Sequence, residues 1–346
     1  MEFRTLGRTG VKVSAYCLGA MMFGEWGNTD QDECVAMMHT ALDAGVNFID
    51  TADVYSAGAS EEIVGMALQG RRDEVVLATK VHGQMGQGQN ERGNTRLWIM
   101  REVEASLRRL GTDRIDLYQI HRPDPATSIE ETLSAMSDLV HQGKVRYIGC
   151  STFPGWFLVE SLWVSERRGL ERFACEQPPY SILVRVAERD VLPVAERHGL
   201  GVIVWSPLAG GWLAGKYRRG EGPPPDSRAV RFAEQGRPVA ERYDLSRPGN
   251  QRKLDVVEAL STVADEAAVS LTAMSIAFTL AHPSVTSTII GPRTPQQLDQ
   301  LLSYSDVRLD QGTLDAIDAI MPPGTLCDES DRGWDPPWMS ASARRR

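Results

Sequence analysis

The sequence contains few cysteines, and their arrangement argues against several classes of protein. Among 346 residues there are five cysteines, an odd number with no C-x-x-C pair. A disulfide framework and a structural zinc site both need paired, closely spaced cysteines, so we expect neither. The six histidines show no metal-ligand spacing, and we expect no bound metal. Free thiols predict a reducing compartment, the cytoplasm. The cysteines are Cys17, Cys34, Cys150, Cys175 and Cys327.

Long apolar runs and an excess of positive charge are also missing. The longest apolar runs, such as 202–205, are far too short to cross a bilayer, and the N-terminus lacks the apolar stretch of a signal peptide. Lys and Arg number 37 against 46 Asp and Glu, which gives a net charge of −9. Because nucleic acids and anionic membranes both require a basic face, we expect neither as a partner.

One pattern repeats along most of the chain. Short β-rich apolar runs that end in polar residues alternate with helical stretches, which predicts a single-domain (β/α)8 TIM barrel over residues 1–325, with a tail at 326–346. A doubly wound sheet with a second domain is the alternative, but its G-x-G-x-x-G motif is absent. The predicted strands are Val13–Leu18, Val46–Asp50, Val75–Lys80, Ile115–His121, Val145–Ser151, Ala174–Gln177, Val202–Ser206 and Ser287–Gly291.

Three segments depart from this pattern. The turn 6–10 predicts a short N-terminal hairpin that closes the barrel bottom. Residues 220–249, rich in Gly, Pro and Arg, predict a long loop after strand seven. We expect the final residues, 344–346, to be disordered. The predicted helices are Gln31–Ala44, Glu61–Leu68 with Ser60 as its N-cap, Thr95–Leu110, Ser128–Gln142, Gly155–Arg168, Glu188–His198, Asn250–Ala267 and Leu271–Ala281.

Ionisable residues follow three neighbouring strands. Asp50, Lys80 and His121 end the second, third and fourth strands, and Tyr55 follows Asp50 in the next loop. The ends of parallel strands meet at one mouth of a barrel, about 4.8 Å apart. A nearby Lys80, kept charged by Asp50, would lower the pKa of Tyr55, while His121 would orient a carbonyl oxygen. The set predicts acid catalysis on a carbonyl, with a cofactor as hydride source.

The residues around these positions resemble the aldo-keto reductase superfamily. The motifs are Asn-Phe-Ile-Asp-Thr-Ala-Asp-Val-Tyr at 47–55, Leu-Ala-Thr-Lys at 77–80 and Asp-Leu-Tyr-Gln-Ile-His at 116–121. The resemblance covers residues 3–305 and is strongest to the branch related to potassium-channel β subunits and actinobacterial sugar ketoreductases. It implies a (β/α)8 barrel that binds NADPH at the strand ends without a Rossmann fold.

The resemblance also implies roles for individual residues. Tyr55 is then the general acid, Lys80 and Asp50 tune it, and His121 positions the substrate. Tyr55 and His121 are also assigned to the substrate. Apart from the resemblance, the position of Trp26 in the first βα loop makes it a candidate for an apolar substrate wall, although it could equally pack its own loop. The residues assigned to the cofactor are Ala20, Met21, Ser151, Thr152, Gln177, Trp205, Ser206, Pro207, Leu208, Gly210, Lys216, Gly291, Arg293 and Gln297.

Within that cofactor set the resemblance distinguishes three parts. Residues 151, 152 and 177 hold the nicotinamide amide, with Trp205 packed against the ring. Ser206, Leu208, Gly210 and Lys216 line the pyrophosphate. Arg293 suits a 2′-phosphate and favours NADPH over NADH. The sequence departs from the family where Thr152 replaces an asparagine and where Gln300 and Leu301 replace a Glu-Asn pair at the adenine.

The expected function is NADPH-dependent reduction of an aldehyde or ketone, and the resemblance suggests a keto-sugar nucleotide as substrate. Four arginines near the 220–249 segment could contact its diphosphate. The main alternative is a cofactor-sensing regulatory subunit with slow turnover, and an oligomer is compatible with either. Two further interpretations use the same residues: a Schiff-base Lys80, and a phosphate loop at 210–217 in which Tyr217 stands where Ser or Thr is required. The four arginines are Arg218, Arg219, Arg228 and Arg231.

Overall fold

The computed structural model describes residues 1–225, 227–234, 236, 238–340 and 342–343. The expectation of disorder at 344–346 therefore lies outside the described residues. The chain forms two compact units. The first consists of Met1–Pro178, Asp190–Trp205 and Leu280–Arg308, and the second of Pro179–Arg189, Ser206–Thr279 and Leu309–Arg346.

The first unit contains a closed barrel of eight parallel strands, which confirms the predicted (β/α)8 fold. Closure is made by the last strand pairing with the first, with Ile289 opposite Cys17. In the described chain the strands are β1 (Phe3–Thr5) and β2 (Lys12–Ser14), which form a hairpin, and the barrel strands β3 (Tyr16–Gly19), β4 (Phe48–Asp50), β5 (Val76–Val81), β6 (Ile115–Ile120), β7 (Val145–Ser151), β8 (Cys175–Gln177), β9 (Gly201–Val204) and β10 (Ser287–Ile290).

Several helices begin where the sequence supplies a side-chain cap. Asp30 accepts a hydrogen bond from the Glu33 amide at the start of the first helix, and Thr95 does the same for Trp98 at the third. The helices in the described chain are α1 (Gln31–Asp43), α2 (Ala59–Ala67), α3 (Arg96–Leu110), α4 (Ile129–His141), α5 (Gly155–Arg168), α6 (Val191–His198), α7 (Arg228–Glu234), α8 (Pro248–Glu266), α9 (Leu271–Ala281), α10 (Pro295–Leu302) and α11 (Gln311–Ile320).

Two predicted element boundaries are wrong because side chains redirect the backbone. The strand predicted at Val13–Leu18 is divided between β2 and β3, since the Ser14 hydroxyl donates to the Tyr16 carbonyl at 2.6 Å and bends the chain. Ser60 is not an N-cap. The cap of α2 is Gly58, and the Ser60 hydroxyl donates to the Ala20 carbonyl at 2.8 Å.

Two predicted stretches contain different structure from that expected. The Glu188–His198 helix is interrupted, since a 3-10 turn at Val186–Arg189 precedes α6 and Asp190 caps α6. The long loop expected at 220–249 contains α7, a 3-10 turn at Pro238–Tyr243 and the first residues of α8. The loop was predicted from the content of glycine and proline. Composition alone does not reveal a short helix that is stabilised by packing. The remaining 3-10 turns are Ala20–Met22, Tyr55–Gly58, Arg72–Glu74, Ala209–Ala214, Glu329–Arg332 and Pro337–Met339.

The N-terminal hairpin lies at the bottom of the barrel, as predicted. Leu6, in the turn between β1 and β2, is fully buried in the barrel core beside Val13 and Cys17. A Cβ on Gly7, which has a φ of +53°, would lie 2.6 Å from the Gly201 amide nitrogen, where β9 begins. Only glycine therefore allows this close approach of two backbones.

Within the described residues, no individual helix is both long and apolar enough to cross a membrane, while α8 and α9, bent by 90°, meet the criterion only as a pair and only by length and composition. The five cysteines, all among the described residues, are buried free thiols.

Replacing Gly7 by alanine should destabilise the barrel, because the new methyl group meets backbone atoms that cannot move aside. We expect the free energy of unfolding to fall by about 2–4 kcal/mol, measured by urea denaturation. Gly10→Ala is the matched control: its φ of +79° is also positive, but nothing lies within 4 Å of the position that a Cβ would take. It should cost about 1 kcal/mol. Equal losses in the two variants would contradict the close-packing argument.

Candidate active site

The ends of β4 and β5 bring three of the predicted catalytic side chains together around a buried ammonium. Lys80 is fully buried, and its Nζ donates to Asp50 Oδ2 at 2.5 Å and to the Thr51 carbonyl at 2.9 Å. The same Nζ lies 3.4 Å from the Tyr55 hydroxyl oxygen. One cation is thus shared between a carboxylate and a phenol.

The charge of Lys80 is stabilised by its neighbours. Burial alone would lower the pKa of Lys80, but the Asp50 carboxylate and the Tyr55 phenol outweigh it, and the net pKa is raised. A Schiff-base lysine needs a neutral amine at the working pH. The surroundings of Lys80 therefore favour an electrostatic role over a nucleophilic one.

The phenol of Tyr55 departs from the sequence-based expectation. Burial is the largest influence and raises the pKa of Tyr55, and although Lys80 acts in the opposite direction, the net pKa lies above 10. The predicted net lowering is wrong, because sequence spacing shows the ammonium but not the loss of solvent. Tyr55 is consequently protonated at neutral pH, and Lys80 stabilises the phenolate as it forms.

Two aromatic residues flank Tyr55. The His121 ring centroid lies 5.6 Å from that of Tyr55 in an edge-on arrangement, and the Trp26 centroid lies 5.8 Å away. Burial, followed by the positive charges of Arg122 and Lys80, lowers the pKa of His121 well below 6.5. His121 is therefore neutral at pH 7, and one of its ring nitrogens can donate a hydrogen bond to a carbonyl oxygen.

Asp50 also connects the catalytic groups to the predicted cofactor residues. The Gln177 amide nitrogen donates to Asp50 Oδ1 at 2.8 Å, and the Gln119 amide nitrogen donates to the same oxygen at 3.2 Å. Sequence reasoning missed Gln119. The signal was its position on β6, two residues before His121, because side chains two residues apart along extended chain point to the same side.

Ser151, Thr152 and Gln177 lie side by side at the ends of β7 and β8. Ser151 is paired with Gln177 across the two strands, and its hydroxyl donates to the Gln177 carbonyl at 2.9 Å. The Thr152 hydroxyl is 3.3 Å from that of Ser151. Hydroxyl and amide groups in this arrangement offer both donors and acceptors, which fits a carboxamide such as that of nicotinamide.

Trp205 directly follows β9, at the same end of the barrel as these three residues. Its backbone amide donates to the Pro178 carbonyl at 3.1 Å, and the indole Nε1 is buried with no hydrogen-bond partner among the described residues. The Arg122 guanidinium lies 5.6 Å from the Trp205 ring centroid and donates to the His121 carbonyl at 2.5 Å. Arg122, a second cation close to the catalytic groups, was not predicted, although it directly follows His121 in the sequence.

The remaining predicted cofactor residues of the first unit follow β3 and β10. Ala20 and Met21 form the 3-10 turn after β3. Gly291 is exposed after β10. The Arg293 amide donates to Gln297 Oε1 at 2.9 Å, so the Gln297 side chain shapes the loop that carries Arg293.

The other predicted cofactor residues belong to the second unit and form a turn of unusual backbone conformation. Positive φ angles occur at Ser206 (58°), Ala209 (46°), Gly210 (71°) and Gly211 (107°). Backbone amides in such turns can converge on an anion, which fits a pyrophosphate. Lys216, at the end of the segment, is exposed. The other two members of the predicted set, Pro207 and Leu208, lie in this turn.

Tyr217 argues against a nucleoside triphosphatase loop. Its ring is buried, with centroids 4.7 Å from Trp212 and 5.4 Å from Tyr243. The residue that a phosphate loop would use to hold magnesium is therefore part of an aromatic cluster.

The turn that carries Tyr55 is strained. Ser56, Ala57 and Gly58 all have positive φ angles, of 49°, 55° and 100°. Non-glycine residues in this region cost roughly 1–3 kcal/mol each, so other contacts must hold them. The Ser56 hydroxyl donates to the Phe23 carbonyl and accepts from the Trp26 amide, each at 3.2 Å.

A buried ion cluster lies beneath the same turn. Arg109 Nε donates to Glu61 Oε2 at 2.7 Å, and Arg109 Nη2 donates to Glu102 Oε1 at 2.5 Å. Glu61 Oε1 accepts from the Thr79 hydroxyl at 2.5 Å, next to Lys80 in the chain. A Cβ on Gly58 would lie 2.7 Å from Arg109 Cδ. Arg109 thus supports the Tyr55 turn and, through Glu61, the strand of Lys80.

Replacing Arg109 by methionine should leave Glu61 and Glu102 buried without their cation. We expect a loss of about 3–5 kcal/mol in the free energy of unfolding at neutral pH. Burial already raises the pKa of Glu102, and without Arg109 this carboxyl should bind a proton more tightly when folded. The loss should therefore be smaller at acidic pH, because protonation removes the uncompensated charge.

Arg108→Met is the control for this variant. Arg108 is the exposed neighbour in the last turn of α3, and its loss should cost about 1 kcal/mol or less. Thermal or urea unfolding of both variants over a range of pH values gives the comparison. A loss for Arg109→Met that does not depend on pH would rule out the proposed charge effect.

Comparison with known proteins agrees with this geometry. The model of the aldo/keto reductase family matches residues 15–322. The chain is 40% identical over 333 residues to the uncharacterized oxidoreductase YrpG of Bacillus subtilis, covering 93% of this chain and 96% of that protein. It is 36% identical over 329 residues to a probable voltage-gated potassium channel subunit beta of Oryza sativa, with 93% and 97% covered.

A third relative has a named reaction. The versiconal hemiacetal acetate reductase of Aspergillus parasiticus is 33% identical over 333 residues, covering 89% of this chain and 94% of that protein. The family match, the closed barrel and the oxidoreductase relatives lead to the same conclusion. The chain belongs to the aldo/keto reductase family, and it is a nicotinamide-dependent oxidoreductase that reduces carbonyl groups.

Proposed function

We propose that the protein is an NADPH-dependent reductase of aldehydes or ketones in which Tyr55 supplies the proton. The single observation that carries the proposal is the Lys80 ammonium, bonded to Asp50 and within reach of the Tyr55 hydroxyl. When bound, the reduced nicotinamide supplies a hydride to the carbonyl carbon. The chain itself has to bind the carbonyl oxygen, protonate it and stabilise the charge left behind.

Each catalytic side chain has one part in this proposal. Neutral His121 donates a hydrogen bond to the carbonyl oxygen and fixes its direction. The Tyr55 hydroxyl holds the proton that this oxygen receives as negative charge develops on it. Lys80 stabilises the resulting phenolate, and Asp50 keeps Lys80 in place and charged. Trp26, beside Tyr55, forms an apolar wall for the substrate.

The assignment of NADPH is argued for each of the two units by itself. Ser151, Thr152 and Gln177 would hold the carboxamide, and Trp205 would pack against the nicotinamide ring. The backbone amides of 206–211, together with Lys216, would hold the pyrophosphate. Arg293 would contact the 2′-phosphate, and its loop is shaped by Gln297.

The alternative function is a regulatory subunit with slow turnover. The similarity to a relative named as a potassium channel subunit supports this alternative. Steady-state consumption of NADPH over a panel of aldehydes and ketones separates the two.

The buried free thiols support the cytoplasm as the location, because that compartment keeps thiols reduced. Light scattering would show whether the chain assembles into an oligomer.

The keto-sugar nucleotide remains a narrower proposal about the substrate. Arg219 is engaged by Asp255 and Gln251 of α8, and Arg228 lies over the Phe232 ring, so a diphosphate would have to add to or replace the contacts that these arginines already make. A free nucleoside diphosphate should then inhibit reduction in competition with the carbonyl substrate. Indifference to nucleoside diphosphates would remove this substrate class from the proposal.

Tyr55→Phe should abolish most turnover and leave cofactor binding intact. The substitution removes only the hydroxyl, and loss of a general acid costs about a hundredfold to ten-thousandfold in kcat. The dissociation constant for NADPH, followed by tryptophan fluorescence, should change little. Trp26→Phe is the control, since it keeps an aromatic ring beside Tyr55 and should alter KM more than kcat. Full activity of Tyr55→Phe would exclude the phenol as proton donor.

Arg293→Met should weaken NADPH binding selectively. A charge-assisted hydrogen bond to the 2′-phosphate corresponds to about a tenfold to hundredfold change in dissociation constant. NADH lacks that phosphate, so its dissociation constant should not change. Titrations of the wild type and the variant with both cofactors test this. An equal effect on NADPH and NADH would mean that Arg293 shapes the loop without contacting the phosphate.

A further inference from the structure

Glu176 is a fully buried carboxyl group for which the catalytic proposal has no use. It lies on β8 between Cys175 and Gln177, and alternation along a strand directs its side chain to the opposite face from theirs. Its Oε1 accepts a hydrogen bond from the Phe153 backbone amide at 3.0 Å. Burying a carboxyl group is costly, so its retention at this position calls for an explanation.

The backbone that Glu176 contacts includes an unusual residue. Thr152 has a φ of +63°, a conformation that β-branched residues rarely adopt. The Thr152 amide donates to the Gln177 carbonyl at 3.1 Å, and the Ser151 hydroxyl donates to the same carbonyl at 2.9 Å. The Phe153 amide is the next donor along the chain, and its acceptor is the Glu176 side chain. The left-handed turn is therefore fixed on one side by Gln177 and on the other by Glu176.

We propose that Glu176 is a positioning residue for the nicotinamide site, holding the Thr152 turn in its left-handed conformation so that Ser151 and Thr152 present their hydroxyl groups to the carboxamide. The inference rests on the proposed cofactor site. It adds that cofactor affinity depends on an acceptor that touches neither the cofactor nor the substrate.

The surroundings of Glu176 make its support of the Thr152 turn dependent on pH. Burial raises the pKa of Glu176 to about 7, while the Cys150 thiol, the Phe153 and Thr152 amides and the Arg122 charge oppose the rise. Burial also raises the thiol pKa values of Cys150, beside Glu176, and of Cys175, on the opposite face of β8, well above 9, so both thiols stay neutral. The group that changes charge near pH 7 on this side of the turn is therefore Glu176.

The direction of the pH effect follows from hydrogen-bond strength. A carboxylate accepts a hydrogen bond more strongly than a neutral carboxyl group, so the turn is held more firmly above the pKa than below it. We expect the NADPH affinity that depends on Glu176 to rise about threefold to tenfold between about pH 6 and pH 8. The 2′-phosphate of NADPH titrates in the same range. The informative quantity is thus the difference between the wild type and Glu176→Gln, which retains an acceptor but cannot ionise.

Stability should respond in the opposite direction. The pKa of Glu176 is 4.5 in its ordinary state and about 7 when folded, so the native state binds more protons than the unfolded state between these values. The free energy of unfolding contributed by Glu176 therefore falls as the pH rises through this window. Glu176→Gln should lose this dependence and be at least as stable as the wild type at about pH 8. A residue with only a packing role would not make the NADPH affinity rise with pH while the free energy of unfolding falls.

The experiment compares the wild type, Glu176→Gln and Glu176→Ala by NADPH titration and by amide hydrogen exchange of the segment 150–157. Glu176→Ala should weaken NADPH binding about tenfold and speed exchange at Phe153, with a smaller change in kcat at saturating NADPH. Glu176→Gln should restore most of the affinity and protection, and its binding should depend less on pH. Should the alanine variant fail to fold, the pH comparison of the wild type with Glu176→Gln still decides the question.

The possible outcomes separate the two proposals. If the wild type binds NADPH and Glu176→Ala binds it equally well with unchanged exchange, the positioning role is wrong and the proposed function stands. If Glu176→Gln keeps the full pH dependence of the wild type, Glu176 is not the titrating group and the inference fails. If the wild type binds no NADPH, the proposed function fails together with the inference that rests on it.

Discussion

The site depends on one buried cation. An ammonium in a protein interior costs several kcal/mol unless a counter-charge and hydrogen bonds surround it, and Lys80 receives both from Asp50 and the Thr51 carbonyl. Asp50 is in turn fixed by the amides of Gln119 and Gln177. The need to stabilise Lys80 therefore orders a network that includes the candidate proton donor and part of the candidate cofactor site.

A second set of buried polar groups supports the loops around this network. Arg109 is held between Glu61 and Glu102 below the strained turn after Tyr55, and Glu176 holds the turn at Thr152. The left-handed segment after Tyr55 lies against Arg109, which two buried carboxyl groups hold, and the turn at Thr152 is held directly by a buried carboxyl group. Loops alone would not hold such conformations, because their strain is released when the supporting contacts are lost.

Much of the fold could be predicted from the sequence because alternation of strands and helices has a strong hydrophobic signature. The β7 strand and the α5 and α9 helices have the bounds that the pattern predicted. The division at Ala15 was missed because it depends on a side-chain hydrogen bond of Ser14, which a hydrophobic pattern does not show. The cap at Gly58 and the helix α7 were missed because they depend on contacts between residues distant in the chain or on packing. The predicted direction of the Tyr55 pKa shift was wrong because loss of solvent is a property of the folded state.

The sequence by itself determined which residue types stand at the strand ends, and therefore the family and the identity of Asp50, Tyr55, Lys80 and His121 as candidates. Those features follow from chain order, which any folded form must respect. Tertiary structure alone decided the hydrogen bonds of Gln119, the place of Arg122 beside Trp205 and the carboxyl groups beneath the two turns. These depend on distances across the barrel between segments far apart in the chain, which no local pattern encodes.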